Sequence, residues 1–421
     1  MIIMVNVRKV LNTKFDGSNL FDENTLTSFI LIINSFSWYF PLYIFFTNTL
    51  NNLGIAYSEL IMIFGLHYAT ILISAFISAT IAREFVTRVR LLLIWVLLGT
   101  ISSGFMIILE SNNLLAVYSV SLLMGVALGF GFPICLAYFA NSVSSDRMGK
   151  FSGIALFAAF LGIFLVGFLT TIFSFIEVAL MFTIWRAIGI IAFQTTEKRE
   201  NYYEIKEIMN IGFKQIISER AFVLYVIPWA MFCLVNFFEL PLQQYHWGVE
   251  LSNIISIVEF GIGSVTAIIG GYFADIVGRK KLVILGYIFL GIGYAILSIS
   301  PTNQIPIAIY AVLDGCAWGL FGVIFFLVIW SDLAYKKIKE KYYLLGTLPF
   351  LLSSYVSVAI TPLVKIINLT VSFSLGSFFL FLAVIPLMYA PETLPEKVIR
   401  ERELRSYIEK AKRIKERFTK G

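Results

Sequence analysis

The stretch Gly271-Tyr272-Phe273-Ala274-Asp275-Ile276-Val277-Gly278-Arg279-Lys280-Lys281 separates two long apolar runs and has the makeup of a tight turn at a membrane surface. Gly278 permits the reversal, and the basic triplet suits anionic headgroups. Asp275 is an acceptor free to meet a helix N-terminus. A spanning helix needs about 20 mostly apolar residues. The flanking runs, approximately 251–272 and 282–300, both meet that requirement. Ten more runs follow on working outward: 26–49, 57–81, 91–109, 114–139, 151–174 and 177–194 before the turn's own half, and 222–244, 305–330, 344–366 and 369–390 within it.

Composition agrees with a bilayer environment. Of 421 residues, 59% are hydrophobic and 14% charged, whereas soluble domains run nearer about 25% charged. The net charge of +6 would suit a nucleic-acid partner were it spread over one face, but placement argues otherwise. Thirty of the 32 Lys and Arg residues fall in the segments at one end of the predicted spans, and only Arg186 and Lys365 do not. Glu59, Glu110, Glu177 and Glu250 occupy the opposite loops. Positive residues mark cytoplasmic loops. Both termini are therefore expected in the cytoplasm of a multi-pass cell-membrane protein, with lipid and not nucleic acid around it.

Cys135, Cys233 and Cys316 lie far apart in apolar stretches, and His67 and His246 add no cluster, so no disulfide framework, metal site or cofactor is expected. The N-terminus lacks the pattern of a secretory signal. The expected division is a leader 1–25, a six-helix bundle 26–194, a polar central loop 195–221, a second six-helix bundle 222–390, and an amphipathic tail helix in 391–421.

The turn at 271–281 resembles the G-x-x-x-D-x-x-G-R-K/R signature of the major facilitator superfamily. A gapless offset of 191 maps it onto 80–90, pairing Asp275 with Glu84, Gly278 with Thr87 and Arg279 with Arg88. The first-half copy has lost both glycines. Gly125, Gly129, Gly131 and Pro133 ahead of Asp146–Lys150, Leu53-Gly54-Ile55, and Pro391-Glu392-Thr393 resemble further family elements. The branch stays unassigned. Ser121 stands where many proton-coupled members carry Arg, the fifth span has no proline, and Gln243-Gln244 falls too late for the sugar-porter pair. The resemblance implies an all-α protein of two pseudo-symmetric six-helix bundles, moving solutes by alternating access, and a monomer. It also implies that Asp275 caps a first-half helix near Lys150–Gly153 and holds the cytoplasmic gate, together with Gly271, Gly278, Arg279, Lys280, Glu84 and Arg88.

Ionisable groups at mid-bilayer cost about 2.5–3.5 kcal/mol on insertion scales and point to function. Asp314 and Glu259 fall near the middle of spans ten and eight, and Glu239 in the outer third of span seven. A carboxyl buried without a cation favours its neutral form and can carry a proton; a hydrogen-bonded structural acid is the alternative reading for each. Spans one, four, seven and ten line the cavity in this superfamily. Asn34 and Trp38 on the first, Trp229, Asn236 and Gln243 on the seventh, and Tyr310 and Trp318 on the tenth are thus cavity candidates. Arg186 is a mid-span cation that contacts substrate, snorkels or pairs structurally.

The expectation is a transporter of a small organic solute, a sugar, organic acid or similar metabolite, coupled to protons. No G-x-x-x-x-G-K-[ST] loop supports ATP-driven pumping. An efflux transporter of the same fold is the main alternative and a non-transporting sensor the lesser one. A membrane enzyme would need clustered catalytic groups that the sequence does not offer.

Overall fold

The computed structural model describes residues 23–82, 85–111, 113–194 and 209–394, with Arg400 and Leu404. The leader, the tail helix, most of the central loop and Glu84 lie outside the described residues. Among the described residues twelve helices are long and apolar enough to cross a membrane: α1 Glu23–Asn52, α2 Tyr57–Ile81, α3 Thr87–Ser111, α4 Leu114–Ser142, α5 Met148–Leu169, α6 Phe175–Phe193, α7 Arg220–Trp247, α8 Val249–Val277, α9 Arg279–Ile299, α10 Gln304–Leu333, α11 Lys339–Leu363 and α12 Leu369–Tyr389. Large apolar side chains such as Leu115, Ile184, Val265 and Phe378 are exposed on their outer faces. A protein in water would hide such a surface, and a bilayer solvates it.

The helix ends are secured in two ways. At one end of the bundle the caps are local. Asn113 accepts from Leu115 N (2.9 Å), Asn303 from Ile305 N (3.0 Å) and Asn368 from Val371 N (3.1 Å), while Ser174 and Glu177 form a capping box on α6. At the opposite, basic end, α5 and α9 start on carboxylates from distant parts of the chain. Two spans are irregular. Pro133 restarts α4 after a break at Phe130–Gly131, and α10 widens into a π-helical segment over Gly322–Val328.

The two halves meet mainly along α5 against α8 and α2 against α11. Gly149 and Gly271 face each other at the first crossing, where a Cβ on Gly149 would come 2.6 Å from the Gly271 carbonyl oxygen. Between the halves an aromatic seam closes the centre: Phe36 meets Phe326 (ring centroids 5.7 Å apart), Phe40 meets Phe350 (6.0 Å), and Phe326 meets Phe350 (4.8 Å). A cavity of about 20 Å³, lined by Ser35, Phe36, Tyr39, Phe40, Phe132 and Phe350 among others, is left beside it. That volume holds roughly one water molecule.

Candidate functional site

At the basic end, Gly278 takes φ +109, a backbone region that favours glycine, and turns α8 into α9. This aims the last turn of α8 at the start of α5. Asp275 Oδ1 accepts from Gly149 N at 2.9 Å and its Oδ2 from Lys150 N at 2.7 Å. The carboxylate thus satisfies two free N–H groups where the helix dipole favours negative charge. Arg279 is fully buried and ties the arrangement together. It pairs with Asp275 (3.2 Å) and Asp332 (3.1 Å) and donates to the Ala274 and Ser145 carbonyls. Glu392 in turn accepts from the backbone N of Arg279 (2.8 Å) and of Lys280 (3.3 Å), and the Lys280 ammonium reaches the Met388 carbonyl.

The first-half copy is built differently. Arg88 forms a buried ion pair with Glu340 in the first turn of α11. Met148 and Lys339, the first residues of α5 and α11, differ by the same offset of 191. Each half therefore grips the matching helix start of the other, through a carboxylate cap on one side and an Arg–Glu pair on the other. Glu340, Asp332 and the capping role of Glu392 are not among the features the sequence pattern singles out. For Glu340 a signal existed: the offset aligns it with Gly149, the residue that Asp275 caps.

Within the second half the structure gathers the carboxyls. Glu259 of α8 and Asp314 of α10 lie within hydrogen-bonding reach of each other. They come together because Gly315 lets the helices touch: a Cβ there would stand 2.9 Å from the Glu259 carbonyl oxygen. Glu239 is buried on α7 and accepts from Ser372 Oγ of α12 (2.7 Å). Tyr294 of α9 lies within electrostatic reach of all three acids. Gln243 donates to the Tyr310 hydroxyl (3.1 Å). Among the described residues Glu239 Oε2 and Asp314 Oδ1 have no hydrogen-bond partner. Lys and Arg in α7 to α10 occur only at the basic ends of these spans. Two carboxylates offer only acceptors, so a hydrogen bond between Glu259 and Asp314 requires a proton on one of them.

The α2–α4 crossing of the first half mirrors this one. Gly125 faces the His67 carbonyl as Gly315 faces that of Glu259. His67 is buried, with Nδ1 2.9 Å from the Ser121 carbonyl and Nε2 2.8 Å from the Tyr39 hydroxyl. A carbonyl only accepts, so Nδ1 carries a hydrogen, while the donor in the Nε2–Tyr39 bond depends on the protonation of the ring.

The cavity candidates divide. Trp229 stacks on Phe325 (4.6 Å) and Phe232 (5.4 Å), and Trp318 sits edge-on to Phe232 (4.9 Å), so both belong to the aromatic seam. Asn236 is half-buried on α7. Asn34 and Trp38 turn instead into the first half, toward Arg186. The Arg186 Nη1 donates to Asn34 Oδ1 (2.7 Å) and Ser35 Oγ (3.1 Å), and Asn34 Nδ2 donates to the Trp185 carbonyl (2.6 Å). The guanidinium carbon stands 4.4 Å from the Trp38 ring centre and 4.2 Å from that of Trp95. Arg186 is fully buried, so it does not snorkel.

Two six-helix bundles in one membrane-spanning chain, joined by reciprocal grips at one end with an aromatic seam between them and buried polar groups inside each, define a polytopic transporter fold. Residues 27–343 match the sequence profile of the Major Facilitator Superfamily, and the chain belongs to that family. It is a transporter and not an enzyme. Among curated proteins none matches the chain in sequence. Similar solved structures include the transporter FucP in the outward conformation (10% identity, TM-score 0.62, 86% of this chain and 98% of that one). The human organic anion transporter MFSD10 aligns over 86% of this chain and 98% of its own (13% identity, TM-score 0.61). The proton:xylose symporter XylE aligns over 88% and 95% (16% identity, TM-score 0.60). At these identities the likeness concerns the fold.

Proposed function

We propose that the chain is a secondary active transporter of a small organic solute, driven by protons, in the cell membrane with its basic end cytoplasmic. The observation that carries this reading is the contact between the Glu259 and Asp314 carboxyls in apolar spans without a cation beside them. Such a pair holds a proton while shielded and releases it when one side opens to water. Glu239 and Tyr294 extend the polar path toward α12. Asp275 and the Arg88–Glu340 pair act as the gate, since both link the halves at one end and must part for that end to open. The working unit is a monomer, each chain carrying its own acid pair and both grips.

The test is flux in proteoliposomes under an imposed inward proton gradient, with internal pH followed as sugars, organic acids and amines are added. Solute-dependent acidification that disappears in Asp314→Asn supports the reading. Solute flux without any pH change in the wild type refutes the coupling. The aromatic lining of the inter-half cavity favours a second reading, export of apolar compounds. The same vesicles separate the two by the direction of net flux.

A further inference from the structure

We infer that Arg186 is the docking point for the anionic group of the transported solute, and that the solute is a small organic carboxylate with an apolar body. This deepens the transporter reading above and rests on it. Three features of the first half carry it.

The first is an unused binding edge. Arg186 spends Nη1 on two neutral oxygens, those of Asn34 and Ser35, while Nε and Nη2 have no partner. Those two donors form one side of the guanidinium, the parallel pair that matches both oxygens of a carboxylate. Gly99 lies against Nε and puts no side chain over it; a Cβ there would stand 2.6 Å away. The second is charge. Among the described residues no carboxylate pairs with Arg186. Two indole faces offset part of the cost of burying the cation, and an anion would complete the neutralisation.

The third feature is position. Ser35, which accepts from Arg186, also lines the cavity between the halves. Ser35 thus separates the cavity from the Nη1 side of Arg186 by one side chain, and a solute reaches the free edge only as the helices around it part. The cavity walls, Phe36, Tyr39, Phe40, Phe132 and Phe350, suit an apolar or aromatic body. Away from the basic end, the described spans α7 to α10 hold the acids Glu239, Glu259 and Asp314 and no Lys or Arg, and would repel an anion. A carboxylate on Arg186 moving with one proton on the acid pair transfers no net charge.

The experiment uses the purified full chain in detergent, reading tryptophan fluorescence and the melting temperature. The probes are benzoate, its neutral counterpart benzyl alcohol, and chloride or inorganic phosphate at matched ionic strength. Trp38 and Trp95 flank the guanidinium and report on its occupancy. Saturable quenching and stabilisation by benzoate, absent with benzyl alcohol, are expected. Arg186→Gln should weaken benzoate by about tenfold to a hundredfold. Arg186→Lys should recover part of that loss, since it keeps the charge without the planar fork. Gly99→Val, which covers the free edge and leaves the cation in place, should weaken benzoate too and serves if Arg186→Gln does not fold. Equal responses to benzoate and benzyl alcohol in the wild type would overturn the inference. So would a folded Arg186→Gln that binds benzoate as the wild type does. A response to chloride or phosphate with none to benzoate would make Arg186 a resident inorganic-anion site and would also overturn it. Proton flux in vesicles is scored separately: benzoate binding without coupled flux would defeat proton coupling and leave the carboxylate site standing.

Discussion

Asp275, on the last turn of α8, places its Oδ2 2.7 Å from the backbone nitrogen of Lys150 in the first turn of α5, 125 residues earlier in the chain. A carboxylate at a helix N-terminus joins two rigid elements without requiring a complementary side chain, because the partner is backbone. This junction lies at the close Gly149–Gly271 crossing between the halves, and in the proposed gating scheme it must part before the basic end opens.

Asp275→Ala is therefore expected to favour opening of the basic end. Loss of two charge-assisted hydrogen bonds to a helix start is worth about 2 kcal/mol, or roughly thirtyfold in a two-state population. The labelling rate of a Ser152→Cys thiol, buried on α5 one turn past that junction, by a membrane-impermeant reagent applied from the basic side should rise by about that factor. An unchanged rate would remove Asp275 from the gate.

The Arg88–Glu340 pair gives a sharper stability test. Both groups are buried, so removing one partner takes away the main compensation of the other's charge and costs about 3 kcal/mol. Arg88→Met and Glu340→Leu together should cost less than either alone. Melting in detergent reads the three variants, and strictly additive losses would contradict a paired role.

Asp314→Asn and Glu259→Gln should each abolish solute-dependent proton flux while leaving the melting temperature within a few degrees, since a neutral amide still offers a donor to its neighbour. If either variant instead loses several kcal/mol and keeps coupling, that residue is a structural acid.

Gly315→Leu should disrupt the crossing that brings those carboxyls together. Its side chain meets the Glu259 backbone, which cannot yield as a flexible side chain would, at a cost of about 1–3 kcal/mol or more. Coupling is expected to fail in any fraction that still folds. Gly167→Leu, which faces open space on α5, is the control expected to melt as the wild type.

How much of this was legible in the sequence differs from element to element. The runs that became α2, α6 and α12 show their extent plainly, because each is predominantly apolar and bounded by turn or polar residues. The start of α3 is less clear. Helix geometry runs through Arg88 and Arg90, which charge counting assigns to a loop. Asp314 and Glu259 stand out singly as acids in apolar spans, yet nothing in their spacing, 55 residues apart on separate helices, says that they touch. Asn34 and Trp38 share a face of α1 as their spacing implies. That face turns to Arg186, because the apolar periphery of α1 leaves its rotation unmarked and the buried guanidinium demands oxygen and ring partners.

By itself the sequence determined the twelve spans, the sidedness of charge and the turn at Gly278, because each rests on local free energies: the transfer of a side chain into hydrocarbon, the placement of a cation near headgroups, the φ that glycine alone adopts freely. The even-numbered helices α4, α6, α10 and α12 also carry their own caps within a few residues. Only the tertiary structure decided that α5 and α9 start on Asp275 and Glu392, that Arg88 meets Glu340, and that Glu259 meets Asp314. In hydrocarbon every helix face is acceptably apolar, so the rotation and partner of each helix are set by where small residues allow contact and where buried polar atoms find one another.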